Sequence, residues 1–122
     1  MPATGNQILG ALGEAHALAH YERLGFRLIE RNHRTRRGEI DLVVEDDHDL
    51  VFVEVKSRRS GGFDPLLSFT TAKRRRLRTL AAAWLRDHPE RRRAPLVRVD
   101  LVAIVLDERG GLVALEQFED VA

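Results

Sequence analysis

The chain contains no cysteine, which excludes a disulfide framework and thiolate chemistry. No apolar run approaches the roughly 20 residues that a membrane-spanning helix needs. The N-terminus, MPATGNQILG, lacks the basic stretch and apolar core of a secretory signal. A cytoplasmic protein with no membrane partner is the expectation. No internal repeat and no second domain shows in the 122 residues, so a single domain over 1–122 is expected. Lysine is nearly absent as well: arginine outnumbers it 18 to 2. A biased genome accounts for arginine in place of lysine, but not for where the cations cluster.

What is present fits a folded chain, with 43% apolar and 32% charged residues. The net charge of +1 conceals segregation. Residues 1–55 carry 6 basic and 10 acidic side chains, net −4; residues 56–98 carry 13 and 3, net +10; residues 99–122 carry 1 and 6, net −5. The middle block is an electrostatic footprint suited to nucleic acid.

The most informative stretch runs from Gly38 to Lys56, GEIDLVVEDDHDLVFVEVK. Two alternating runs flank a polar turn, which predicts a β-hairpin. Period two puts Ile40, Leu42 and Val44 on one face of the first strand, and Val51, Val53 and Val55 on one face of the second. Burying both faces together pairs Ile40 with Val55, Leu42 with Val53 and Val44 with Val51; each pair of numbers sums to 95. The turn then centres on Asp47 and His48. The same register sets Asp41 opposite Glu54 and Glu39 opposite Lys56. Facing positions lie roughly 5 Å apart at Cβ, and like charges there destabilise the pair. A divalent cation would turn that repulsion into binding, and Mg²⁺ favours one or two carboxylates with water and phosphate oxygens. A solvated polar face with a Glu39–Lys56 ion pair is the alternative.

Around the hairpin, residues 6–24 read as a helix with Ile8, Leu12, Ala15, Leu18 and Ala19 at three- and four-residue spacing. Asn6 is the expected N-cap and Gly25 the C-cap, and Gly10 and Gly13 are candidates for close packing. By periodicity Glu14 lies at the edge of the apolar stripe, an ordinary surface position. His16 and His20 share a zinc-like spacing but lack a third ligand, so polar helix positions explain them better. Phe26–Asn32 reads as a strand, followed by a basic turn from His33 to Arg37 containing Arg34, Arg36 and Arg37. Residues 57–65 form a loop leaving the hairpin, with Arg58 and Arg59 as candidate phosphate contacts. Residues 71–88 form a second helix, capped by Thr70 or Thr71 and ended by Pro89, with a core stripe of Leu77, Leu80, Ala81, Trp84 and Leu85. Its first turns carry Lys73, Arg74, Arg75, Arg76 and Arg78. Cations there oppose the helix dipole, an arrangement that an anionic partner would justify. Strands are expected over Leu96–Leu106 and Leu112–Phe118, and the pattern as a whole implies an α/β fold with a mixed central sheet flanked by helices.

Asp41 followed after twelve residues by Glu54-Val55-Lys56 resembles the D…(D/E)xK core of the restriction-endonuclease-like nucleases. The wider set is more specific: Gly13-Glu14, Arg31-Asn32, Gly38-Glu39-Ile40-Asp41-Leu42, Phe52-Val53-Glu54-Val55-Lys56 and Lys73. Together they resemble the YraN-like family of uncharacterised bacterial proteins, itself similar to archaeal Holliday-junction resolvases. The resemblance covers roughly residues 10–105. Two places depart from it: Phe63 is followed by Asp64-Pro65 rather than glycine, and Arg98-Val99-Asp100 stands for Arg-Phe-Asp.

The resemblance implies a restriction-endonuclease-like αβββαβ core. It gives Glu14 a role that periodicity does not, joining Asp41 and Glu54 as a ligand of Mg²⁺ or Mn²⁺. Lys56 would orient water and offset charge on the phosphate. Lys73, Arg74, Arg75 and Arg76, with Arg34, Arg36, Arg37, Arg58 and Arg59, would hold the backbone of a nucleic acid, DNA by preference. The resolvase likeness implies a homodimer. The reading is a metal-dependent endonuclease for branched or structured DNA in repair or recombination. A nucleic-acid-binding module that does not cut, and an interaction protein using the basic helix, are the alternatives.

Overall fold

In a computed structural model, residues 2–59, 64–91 and 94–122 are described. Helix α1 spans Gly5–Arg23. Thr4 rather than Asn6 caps it, because Thr4 and Gln7 form a reciprocal capping box that satisfies two otherwise orphaned amides. Leu24 is the C-cap, and Gly25 follows it at φ 95°, a left-handed conformation suited to glycine.

Three strands follow: β1 (Arg27–Thr35), β2 (Gly38–Glu45) and β3 (Asp49–Arg58). A one-turn helix, α2 (Pro65–Ser68), comes next, capped by Asp64. Helix α3 (Thr71–Asp87) is capped by Thr70 as expected, and β4 (Leu96–Leu106) and β5 (Leu112–Phe118) have the expected bounds. The sheet order is β1-β2-β3-β4-β5, with β3–β4 parallel and the other pairs antiparallel. This is the αβββαβ order with an added edge strand. The sequence expectations for the loop at 60–63, including Phe63, and for residues 92–93 lie outside the described residues.

The two helices cover opposite sides of the sheet. Ala17 and Tyr21 of α1 pack with Leu42, Val44, Val51, Val53, Val102 and Ile104. Leu77, Leu80, Ala81 and Trp84 of α3 pack with Val43, Phe52, Val99 and Leu101. The hairpin register is the expected one where pairing occurs, Leu42–Val53, Val43–Phe52 and Val44–Val51. Ile40 departs from the expectation: it joins the α3 side with Val43, not the α1 side with Leu42. The β2–β3 ladder ends at Leu42–Val53, and the alternation breaks at that end.

Strand β1 also runs further than the sequence suggested. His33 and Arg34 pair with Ile40 and Glu39, so the basic segment is strand up to Thr35 and only Arg36 and Arg37 form the turn. Cross-strand pairing outweighs the poor alternation there.

A polar network ties the ends of the chain together. Asp100 of β4 is completely buried. Its carboxylate accepts from Tyr21 Oη (2.7 Å), Arg98 Nε (3.0 Å), Gln117 Nε2 (3.1 Å) and the Asp120 amide (3.1 Å). Arg98 also pairs with Asp49. Burial and the Asp100 charge push the Tyr21 hydroxyl far above its ordinary range, which keeps it a donor. The histidines of α1 serve structure too: His16 Nε2 meets the Gly110 carbonyl (3.1 Å) and His20 Nε2 the Gln117 amide oxygen (2.7 Å). No helix of the described residues is long and apolar enough to cross a membrane.

Candidate functional site

The site lies where β2 and β3 part. Beyond Leu42–Val53, the Val55 amide donates to Asp41 Oδ2 at 2.7 Å, so a side chain accepts from the neighbouring strand's main chain. Asp41 is thereby held in the fork, only 7% exposed. The α1 side supplies Glu14, and β2 supplies Glu39. One carboxylate oxygen from each of Glu14, Glu39 and Asp41 lies within 4.8 Å of the others. From β3, Glu54 bears on Asp41 electrostatically, and Lys56, Lys73 and Arg76 bear on Glu54.

Glu14 is positioned by steric contact as much as by polarity. A Cβ built at Gly13 would lie 1.7 Å from Ser57 Oγ, so only glycine lets α1 approach β3 this closely here. Gly10 has no such neighbour, and its expected close packing is not observed. Behind Glu14 stands Asn32, at φ 53°, a left-handed conformation that asparagine tolerates. With its amide nitrogen turned toward the carboxylate, Asn32 donates to Glu14 Oε2 (3.1 Å) and Oε1 (3.2 Å).

The electrostatics are those of crowded anions. Burial, then the charges of Glu54 and Glu14, raise the Asp41 pKa to about 9, against the help of the Val55 amide. Burial and the nearby Glu39 raise that of Glu14, opposed by Asp41, Arg31 and Asn32. Burial raises that of Glu54, opposed by Lys56, Asp41, Lys73 and Arg76. Lys73 is shifted down chiefly by the adjoining Lys56 ammonium. All-carboxylate donors held this close suit a hard divalent cation, which would favour the deprotonated form of each.

The site residues named from the sequence divide in space. Glu14, Asp41, Glu54, Lys56, Lys73 and Arg76 gather around the fork. The Glu39–Lys56 ion pair of the alternative reading does not form among the described residues; Glu39 meets Arg34 (3.2 Å) across β1–β2. Arg36 and Arg37 sit on the hairpin turn opposite α3. Arg74 donates to the Phe69 carbonyl (3.3 Å) and lies over the Phe69 ring, a structural role, while Arg75 is exposed. Arg59 donates to the Glu108 carbonyl (3.3 Å), and Arg58 lines a cleft beside Glu14 and Ser57.

Period two already put Glu39 on the face of Asp41, but as the partner of Lys56 rather than as a member of the acidic group. Asn32, which supports Glu14 from another element, is beyond the reach of periodicity. The presence of Asn32 in the Arg31-Asn32 motif was the one available signal.

The model of the uncharacterised protein family UPF0102 matches residues 13–104, which include every one of these positions. A UPF0102 protein of Corynebacterium efficiens is 44% identical over 119 residues, 97% of this chain and 94% of its own length. One from Geobacter sulfurreducens is 51% identical over 81 residues, 66% of this chain and 63% of that protein. One from Acidothermus cellulolyticus is 42% identical over 118 residues, 89% of each. By the span and identity of these matches, the chain belongs to the uncharacterised protein family UPF0102.

Proposed function

We propose that the protein is a metal-dependent endonuclease that hydrolyses phosphodiester bonds in DNA, with branched or otherwise structured DNA of repair or recombination as its preferred substrate. The observation that carries this reading is Asp41: a buried carboxylate in a strand fork, facing other carboxylates rather than a guanidinium. Such a placement costs stability unless something else uses it.

Glu14, Asp41 and Glu54 would hold Mg²⁺ or Mn²⁺, with Glu54 beside Asp41 and with Glu39 close to Glu14 and Asp41. The bound ion supplies an acidified water and charge neutralisation at the phosphate. The chain does the rest. Asp41 is fixed by the Val55 amide and Glu14 by Asn32, so the ligands need little reorganisation. Lys56, adjoining both Glu54 and Lys73, orients water and offsets negative charge developing on the phosphate oxygens. Lys73 and Arg76 of α3 face the same side and hold the phosphate against the carboxylates. Cutting both strands of a junction symmetrically would require two copies of the chain, a homodimer.

A second reading is a nucleic-acid-binding module that does not cut. The density of cations on α3 favours it, since binding of a phosphate backbone needs no metal.

The test is cleavage by purified protein with Mg²⁺ and with Mn²⁺ on linear, single-stranded, flapped and four-way-junction DNA, beside Glu54→Ala. Metal-dependent cutting that falls by about a hundredfold or more in the variant is expected. Equal cutting by both proteins would signal a contaminant and remove the reading. Binding without cutting by either would favour the module.

A further inference from the structure

The cationic residues of α3 do not stop at the carboxylates. Lys73 and Arg76 bear on Glu54. Three residues beyond Arg76, a groove of about 270 Å³ opens between α3 and the β1–β2 turn. It is lined by Arg36 and Arg37 of the turn and by Thr79, Leu80, Ala83 and Arg86 of the helix, and no carboxylate lines it among the described residues. Arg76 joins the two regions. A Cβ placed on Gly38, at φ 140°, would lie 3.2 Å from Arg76 Cδ and 3.4 Å from Leu80 Cδ1, so the turn rests directly on this side of α3.

Several arginines of the chain are already committed elsewhere. Arg34, Arg74, Arg91 and Arg98 are engaged with carboxylates or carbonyls. Among the described residues, the guanidinium groups of Arg36, Arg37 and Arg86 make no ion pair and no hydrogen bond, and all three are exposed. The turn that carries Arg36 and Arg37 is itself ordered. Thr35 Oγ1 donates to the Gly38 carbonyl (3.1 Å) and accepts from the Arg37 amide (3.1 Å). Two unpaired arginines on a fixed turn therefore face a third on a rigid helix.

We propose that this groove is a track for one sugar–phosphate strand, running from the carboxylate fork along α3 to Arg86. The proposal rests on the nucleic-acid reading above and adds a direction and a length to it. From Lys73 to Arg86 the helix rises about 20 Å, which matches about six stacked nucleotides at roughly 3.4 Å each. Nucleic acid engaged at the fork thus extends on one side over the hairpin turn. Arg36, Arg37 and Arg86 grip phosphates there, whereas Arg74 and Arg34 are committed to the fold and to Glu39. The affinity this supplies is sequence-independent and falls with salt.

The experiment compares two charge-matched double variants at exposed positions, R36Q/R86Q on the track and R23Q/R109Q away from it. Binding of a fluorescein-labelled single strand of about 16 nucleotides is read by anisotropy in EDTA over a range of salt. Thermal melts check that both variants fold. R36Q/R86Q is expected to weaken binding at least about tenfold and to lower the slope of log K against log salt by about 1.4, from about 0.7 per phosphate contact. R23Q/R109Q is expected to change affinity by less than about threefold. Equal weakening by both pairs, no weakening by R36Q/R86Q, or no binding by the unmodified chain would each overturn the track. The assay contains no turnover. A chain that binds along the groove and never cuts would keep the track and lose the nuclease reading. A chain that cuts while both variants bind alike would do the reverse.

Discussion

Asp100 and Asp41, the two charged side chains buried among the described residues, are both reached from α1, yet their surroundings are opposite. Asp100 receives a tyrosine hydroxyl, a guanidinium, a side-chain amide and a main-chain amide. Asp41 receives one main-chain amide and faces Glu14, Glu39 and Glu54. Buried charge that is fully paired and hydrogen-bonded belongs to the fold. Buried charge set among like charges is an electrostatic strain, and its location in an open strand fork makes it a candidate for binding an ion.

The largest loss is expected at Asp100. Asp100→Ala leaves Arg98 without its main buried partner and is expected to lose about 3–5 kcal/mol, read as a lower urea midpoint with an unchanged slope. A milder cut is Tyr21→Phe, which removes one hydrogen bond to the buried carboxylate and should lower stability by about 1.5–3 kcal/mol in the same titration. An unchanged midpoint in either variant would mean that this network adds nothing to the fold.

Asp41 is expected to behave in the opposite sense. Asp41→Asn keeps an oxygen for the Val55 amide and needs no proton uptake on folding, so without metal it should raise stability by about 1 kcal/mol or more at neutral pH. The sign follows from protonation. The folded chain holds the Asp41 proton up to about pH 9, while the unfolded chain releases it near 3.8. The stabilisation from that proton is complete below the unfolded value and disappears as pH rises through the folded one. Melting temperatures of the metal-free protein should therefore decline toward pH 9, and the decline should flatten in Asp41→Asn. A parallel decline in both proteins would detach it from Asp41.

The parts of the molecule that were legible in the sequence are those with repeated, local signals. The register of Leu42, Val43 and Val44 against β3 follows from alternation alone, since a slip by one residue would turn a strand inside out. The span of α3 follows from Thr70, Pro89 and the spacing of Leu77, Leu80 and Trp84. What was not legible depends on contacts across the fold. Ile40 leaves its expected face where Asp41 accepts from Val55, an event that no period can encode. Glu14 looks like a surface residue along its helix; the family motif marked it, and its setting comes from Asn32 on another element. Asp100 stood out only within Arg98-Val99-Asp100, and its buried network was not legible because Tyr21 lies 79 residues away in the chain.

The meeting of Gly13 with Ser57 has a consequence for how the protein responds to its medium. A helix located by hard contact keeps its place when salt screens charges or when pH changes their number, whereas one located by ion pairs would drift. The spacing between Glu14 and the strand fork thus rests in part on a close, uncharged approach of α1 to β3, which salt does not screen.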